Sequence, residues 1–281
     1  PGAGTSAPGA ALLLIAAREP AVEIPLYQID AFTSRVFGGN PAAVCPLATW
    51  LPAETMQAIA AENNLSETAF FVKEGGDYEL RWFTPATEAD LCGHATLATA
   101  ALIFERLAPG SAQVRFRTRS GPLEVSRDGE LLVMDFPARP ASPVKRSAAV
   151  VEALGAEPTE LLAAPRDYLA VFEDERAVRA LSPESRAVAA LDRKGMIVTA
   201  PGEDSDFVSR FFAPAMGIAE DPVTGSAHCT LTPYWSKRLG KRRLSARQLS
   251  ARGGELVCED RGARVAIMGR TAFYLEGTIR L

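Results

Sequence analysis

Histidine is the scarcest side chain able to bind metal or move protons here, occurring only at His94 and His228 among 281 residues. The four cysteines, Cys45, Cys92, Cys229 and Cys258, are scattered, with no Cys-x-x-Cys pair. That donor set lacks the close ligand spacing of a structural zinc site, so no metal is expected and free thiols are. An excess of one charge is also missing: 30 basic side chains face 34 acidic ones, for a net charge of −4. Neither nucleic acid nor an anionic membrane would be attracted by such a balance. The densest basic run, Lys237-Arg238 through Lys241-Arg242-Arg243, is short and interrupted and reads as a solvated helix end. Gly-x-Gly-x-x-Gly and Gly-x-x-x-x-Gly-Lys fingerprints are absent, which leaves nucleotide cofactors unsupported. Residues 1–22 are set aside as an extension. Their apolar run, 11–17, is too short to span a bilayer and has no basic stretch before it to make a secretory signal. A cytoplasmic protein is the resulting expectation, and the glycosylation pattern Asn64-Leu65-Ser66 is discounted with it.

What is present is a duplication. Arg81-Trp82-Phe83-Thr84-Pro85-Ala86 leads to Asp90-Leu91-Cys92-Gly93-His94-Ala95-Thr96, and Arg210-Phe211-Phe212-Ala213-Pro214-Ala215 leads to Asp221-Pro222-Val223-Thr224-Gly225-Ser226-Ala227-His228. Gly93 and Gly225 lie 132 positions apart, an offset kept by Gly121 and Gly253. With 47% hydrophobic residues the chain has ample core for two related lobes, expected over 23–138 and 143–270. Three prolines in Pro137-Ala138-Arg139-Pro140-Ala141-Ser142-Pro143 read as the linker between them. A last strand over 271–281 is expected to return to the first lobe.

Local patterns fill in the lobes. Pro52 opens a helix over 53–62, with Met56, Ile59 and Ala60 on one face, and Asn63-Asn64 stops it. Thr68-Ala69-Phe70-Phe71-Val72 and Tyr78-Glu79-Leu80-Arg81-Trp82-Phe83 read as strands joined at Gly75-Gly76. After Gly93 the chain is small or apolar all round, which marks a buried helix. The second half repeats the order, so the fold class is α+β: strand-rich layers, each around a central helix.

The chemistry centres on the glycine turns. The first N–H groups of a helix have no partner within it, and the dipole there favours an anion. Glycine admits a ligand close to that backbone, so two such starts facing one cleft would clamp a carboxylate. For either copy alone, glycine serving only helix–strand packing stands as the alternative. Glu67 precedes the apolar strand 68–72, which puts it at the edge of an apolar cleft. Burial there would raise its pKa towards neutrality and suit it to acid–base work, whereas a Glu in a solvated turn would do nothing. His94 adjoins a helix-start glycine, and Asp221 is either part of the site or an N-cap. Asp90 is its counterpart in the first copy. Cys92 invites a two-thiol racemase, but the matching position holds Thr224, too weak an acid to replace a thiol. Cys229 is expected to play a plain apolar role.

Asn64-Leu65-Ser66-Glu67-Thr68-Ala69-Phe70, Gly39-Asn40-Pro41-Ala42-Ala43-Val44, Cys92-Gly93-His94-Ala95-Thr96 and Glu220-Asp221-Pro222-Val223-Thr224-Gly225-Ser226-Ala227-His228-Cys229 together resemble the PhzF family. Ser250-Ala251-Arg252-Gly253-Gly254-Glu255-Leu256 and Leu275-Glu276-Gly277-Thr278 are similar to its phenazine biosynthesis-like domain-containing branch. The resemblance runs from about Glu23 to Leu281. It implies the diaminopimelate-epimerase-like fold, two pseudo-symmetric lobes around one cleft, a homodimer and no cofactor. It further implies Glu67 as the acid–base group, His94 and Asp221 as its assistants, and Ser226 with the Gly93 and Gly225 backbones as substrate binders beside Cys92 and Thr224. The resulting expectation is an isomerase that moves a proton within a small carboxylate. The rival is a binding or regulatory protein, acting through protein partners, that keeps the cleft but turns little over.

Overall fold

A computed structural model describes residues 22–281, and the apolar run at 11–17 lies outside them. The first half runs through β1 (Glu23–Ala31), β2 (Asn40–Leu47), α1 (Ala53–Asn63), β3 (Glu67–Glu74), β4 (Asp77–Phe83) and the short β5 (Glu88–Ala89). It continues through α2 (Gly93–Leu102), β6 (Gln113–Thr118), β7 (Gly121–Asp128) and β8 (Leu131–Pro137). The second half runs through β9 (Ser142–Pro143), α3 (Ala148–Leu154), β10 (Glu160–Ala163), β11 (Asp167–Val171), α4 (Glu175–Ala180) and α5 (Ser185–Ala189). It closes with β12 (Gly195–Pro201), β13 (Phe207–Phe212), α6 (Gly225–Leu239), β14 (Arg243–Gln248), β15 (Gly254–Asp260), β16 (Arg264–Gly269) and β17 (Thr271–Arg280).

Strand pairing repeats between the halves. β2 is parallel to β3, β3 antiparallel to β4, β4 parallel to β6, and β6, β7 and β8 form a meander. β11 through β16 follow the same sequence of parallel and antiparallel joints. β9 pairs with β10 at the start of the second half, and β17 returns to pair with β1 of the first in the corresponding place, from Glu23↔Arg280 to Ala31↔Thr271. β8 and β16 pair with each other, stitching the halves edge to edge. This is an α+β fold of two pseudo-symmetric lobes, each a strand-rich barrel around a central helix.

The central helices are α2 and α6. Every residue of α2 after Gly93 is buried, as the absence of a polar face requires. The helix continues into a π-type turn at Ile103–Leu107. α1 instead packs one face, Met56, Ile59 and Ala60, against Phe70 and Phe83, and ends on Asn64 in the left-handed region. The basic run at the end of α6 is exposed, with Arg238, Lys241 and Arg243 each paired to an acid.

Pro233 lies inside α6. Proline has no N–H, so the carbonyl of Cys229, four residues earlier, loses its helical donor. The backbone N–H of Arg139 takes that place at 2.9 Å. The proline-rich stretch between the lobes is thus docked on the central helix and walls the cleft.

Candidate active site

α2 and α6 begin alike. Gly93 and Gly225 are their first residues, each after an extended residue, Cys92 or Thr224, and neither start has a side-chain cap. Ser147, Asp174 and Glu184 cap the starts of α3, α4 and α5. The contrast leaves N–H groups at the two central helix starts open to a ligand. Packing does not require glycine at either place. A Cβ on Gly93 would come no closer than 3.9 Å, to Phe136, and one on Gly225 no closer than 3.5 Å, to Phe32.

Both helix starts line one cavity of about 120 Å³. Glu67, Cys92, Gly93, His94, Asp221, Thr224, Gly225 and Ser226, all nominated from the sequence, share its wall. Asp90 does not; it is exposed. Nor is Asp221 an N-cap: α6 starts after Thr224, and the Asp221 carboxylate faces inward instead. There it accepts from Thr224 Oγ1 at 2.5 Å and from Asn40 Nδ2 at 2.9 Å.

Other groups at the site were not among the residues nominated from the sequence. Asn40, buried at the head of β2, crosses between the lobes to Asp221 and to the Val223 carbonyl. Gln248, buried at the end of β14, accepts from the Thr224 N–H at 2.9 Å and donates to the Asp221 carbonyl at 2.8 Å. The Asn-Pro motif was a visible signal for Asn40, whereas nothing local marked Gln248. Arg139 and Arg166 also line the cavity. So does Cys229, one turn into α6, which is 2% exposed and packs in the hydrophobic core.

Electrostatics set the protonation states. Burial lifts the Glu67 carboxyl from 4.5 to about 8, the Asp221 charge adds to the rise, and a hydrogen bond with Cys92 opposes it. Burial likewise lifts Asp221 to about 6, against the hydrogen bonds from Thr224 and Asn40. Two carboxyls whose environments separate them in this way fit an acid and an ionised partner near neutral pH. The Cys92 thiol is pushed well above its ordinary range by burial and then by Glu67, so it stays protonated. Burial drives His94 down to about 3, leaving a neutral imidazole. Its Nε2 lies 3.2 Å from Glu67 Oε2, without the alignment of a hydrogen bond, and its Nδ1 lies 3.5 Å from Cys92 Sγ. His228, the other histidine, is fully buried beneath the site and bonds through Nδ1 to the Thr224 carbonyl at 2.9 Å.

Among the described residues, Glu67, Cys92 and His94 form the group able to gather around a metal ion, with donor atoms within 4.8 Å of one another. The imidazole turns Nδ1 to the thiol and Nε2 to the carboxylate.

The family model described as phenazine biosynthesis-like protein matches residues 29–277. This chain belongs to the PhzF family. An uncharacterized isomerase of Pseudomonas aeruginosa is 53% identical over 260 residues, covering 92% of this chain and 100% of that protein. The human phenazine biosynthesis-like domain-containing protein is 41% identical over 92% of this chain and 99% of its own. A crystal structure of a PhzF-family protein from Enterococcus faecalis matches with a TM-score of 0.91 at 48% identity, over 92% of this chain and 100% of that one. PhzF membership thus places the chain among proteins named isomerases. A hydroxyproline epimerase from Agrobacterium vitis, 12% identical with a TM-score of 0.58 over 92% of this chain and 91% of that one, shares the epimerase-like fold alone.

Proposed function

We propose that the protein is a cofactor-independent isomerase that moves a proton within a small carboxylate, with Glu67 as the acid–base group. The carrying observation is the buried Glu67 carboxyl, held up to about 8 in the same cavity as two uncapped helix starts. In this reading the substrate carboxylate lies against the backbones of Gly93 and Gly225, helped by the Ser226 hydroxyl. Glu67 then faces the carbon skeleton. Its neutral resting form lets it give a proton to one carbon and take another from a different carbon of the same molecule, so the net change is a shifted double bond or hydrogen. Asp221, ionised at neutral pH and held by Asn40 and Thr224, orients the substrate. The neutral His94 sits beside the Glu67 carboxyl without adding charge.

Cys92 and Cys229 both line the cavity, yet both thiols are held above their ordinary range, Cys229 at about 11, which speaks against thiolate chemistry. The lobe boundaries 23–138 and 143–270, with strand β17 joined to the first lobe, belong to this reading, as do a homodimeric assembly and residence in the cytoplasm. The β1–β17 pairing supports the placement of the last strand. Among the described residues no helix is long and apolar enough to cross a membrane.

The test is solvent-deuterium exchange into a panel of small carboxylates, read by NMR. Wild type should incorporate deuterium at carbon, and Glu67→Gln should abolish incorporation. Exchange that survives Glu67→Gln removes Glu67 from the role. Binding with no exchange for any substrate favours a regulatory protein.

A further inference from the structure

We propose that Arg139 and Arg166 form a second anion subsite in the cleft, and that the substrate is accordingly a small dicarboxylate. The inference rests on the isomerase reading above and adds the substrate class. The two helix starts and Ser226 are suited to one carboxylate, but they are not the only anion-binding groups in the cavity wall. Arg139 is partly buried there and has no carboxylate partner among the described residues. A guanidinium kept from full hydration without a counter-ion is set to receive one. Arg166 is held at one edge, Nε to Asp167 Oδ1 at 3.2 Å, which leaves its two amino ends for a ligand.

The backbone beside Arg139 is fixed relative to the helix start. Arg139 is anchored by its own N–H to the Cys229 carbonyl, freed by Pro233, four residues along α6 from Gly225. At 1.5 Å per residue the backbone of Arg139 is moored about 6 Å along the axis from the helix start, and a diacid of roughly four to six carbons is the ligand size proposed. Leu91, Phe136 and Phe211 line the same cavity and suit the carbons between the two acid groups. With Arg166 paired to Asp167 and Asp221 ionised in the same wall, the cavity holds little excess positive charge. That matches a carboxylate better than a doubly charged phosphate.

Calorimetric titration of glutarate against glutaramate, its monoamide of equal length, tests the subsite with no variant needed. Glutarate is expected to bind wild type at least tenfold more tightly. In Arg139→Gln and in Arg166→Gln that preference should shrink, and in the double variant it should fall within twofold, with glutaramate affinity little changed. Equal binding of the two ligands to wild type, no binding of either at millimolar concentration, or a preference that survives in the double variant would overturn the proposal. So would 3-phosphonopropionate binding tenfold more tightly than glutarate. A glutarate preference found together with no deuterium exchange on any diacid keeps the subsite and sinks the isomerase reading, so the two failures are distinguishable.

Discussion

Replacing Glu67 with glutamine should stabilise the protein, and by an amount that depends on pH in a defined way. The carboxyl is held up to about 8 from 4.5. Between those values the folded protein keeps a proton that the unfolded chain has released, so stability falls as pH rises through the window. The slope is about 1.4 kcal/mol per pH unit, and over the whole interval the penalty reaches roughly 3–5 kcal/mol. Glutamine is nearly isosteric and stays neutral, so it escapes the penalty. Wild type and Glu67→Gln should therefore be equally stable near pH 4.5, diverge steadily in favour of the variant, and hold a constant gap above about pH 8. Urea unfolding midpoints for both proteins at each pH from 5 to 9 measure the gap, with the common slope converting midpoint to free energy. A gap that stays flat, or that closes as pH rises, would refute the burial argument. Asp221 titrates lower, at about 6, and is present in both proteins, so it largely cancels in the difference. A variant that is more stable but inactive is the outcome expected of an acid–base residue held in an unfavourable environment.

The remaining predictions are shorter. Cys92→Ser should keep much of the deuterium exchange, because the thiol is protonated and does not carry the proton; complete loss would revive thiol chemistry. Asn40→Ala should lower exchange by about tenfold or more by releasing Asp221, and cost about 1–3 kcal/mol in urea unfolding through the buried partners left unpaired; unchanged rates would remove Asn40 from the site. Gly225→Ala should fold with stability within about 1 kcal/mol of wild type, as its Cβ meets nothing closer than 3.5 Å. It should nonetheless weaken carboxylate binding, and unaltered affinity would mean that no ligand approaches that backbone. Gly39→Ala is the opposite case: φ is +63° and the Cβ would lie 2.1 Å from the Ala31 carbonyl oxygen, so soluble folded protein should be scarce.

The duplicated architecture was legible because its signals are local. Gly93 and Gly225 start buried helices, and the strands on either side alternate or run apolar as their pairing demands. Glu67 could be placed at an apolar edge from the Phe70-Phe71-Val72 strand that follows it. For groups that reach the site across the fold, nothing local showed which partners they would meet. Asn40 and Asp221 are 181 residues apart and meet because β2 and the segment before α6 face each other across the lobe interface. Gln248 ends a strand and looks like any exposed strand terminus until its partners are known. The Pro137–Pro143 stretch had linker composition, and composition could not reveal that one of its N–H groups is seated on a helix carbonyl. Cys229 packs in the core and also touches the cavity wall, since helical burial and cleft lining use the same residue types.

Pro233 bears on any effort to make this protein more robust. A proline within a helix is a standard target for repair, since alanine there usually restores a hydrogen bond and gains stability. Here the repaired bond would compete with Arg139 for the Cys229 carbonyl. The helix would gain a bond while the segment that walls the cleft lost its mooring. Thermostability screens that reward unfolding temperature alone would select that exchange and pass over its effect on the cleft.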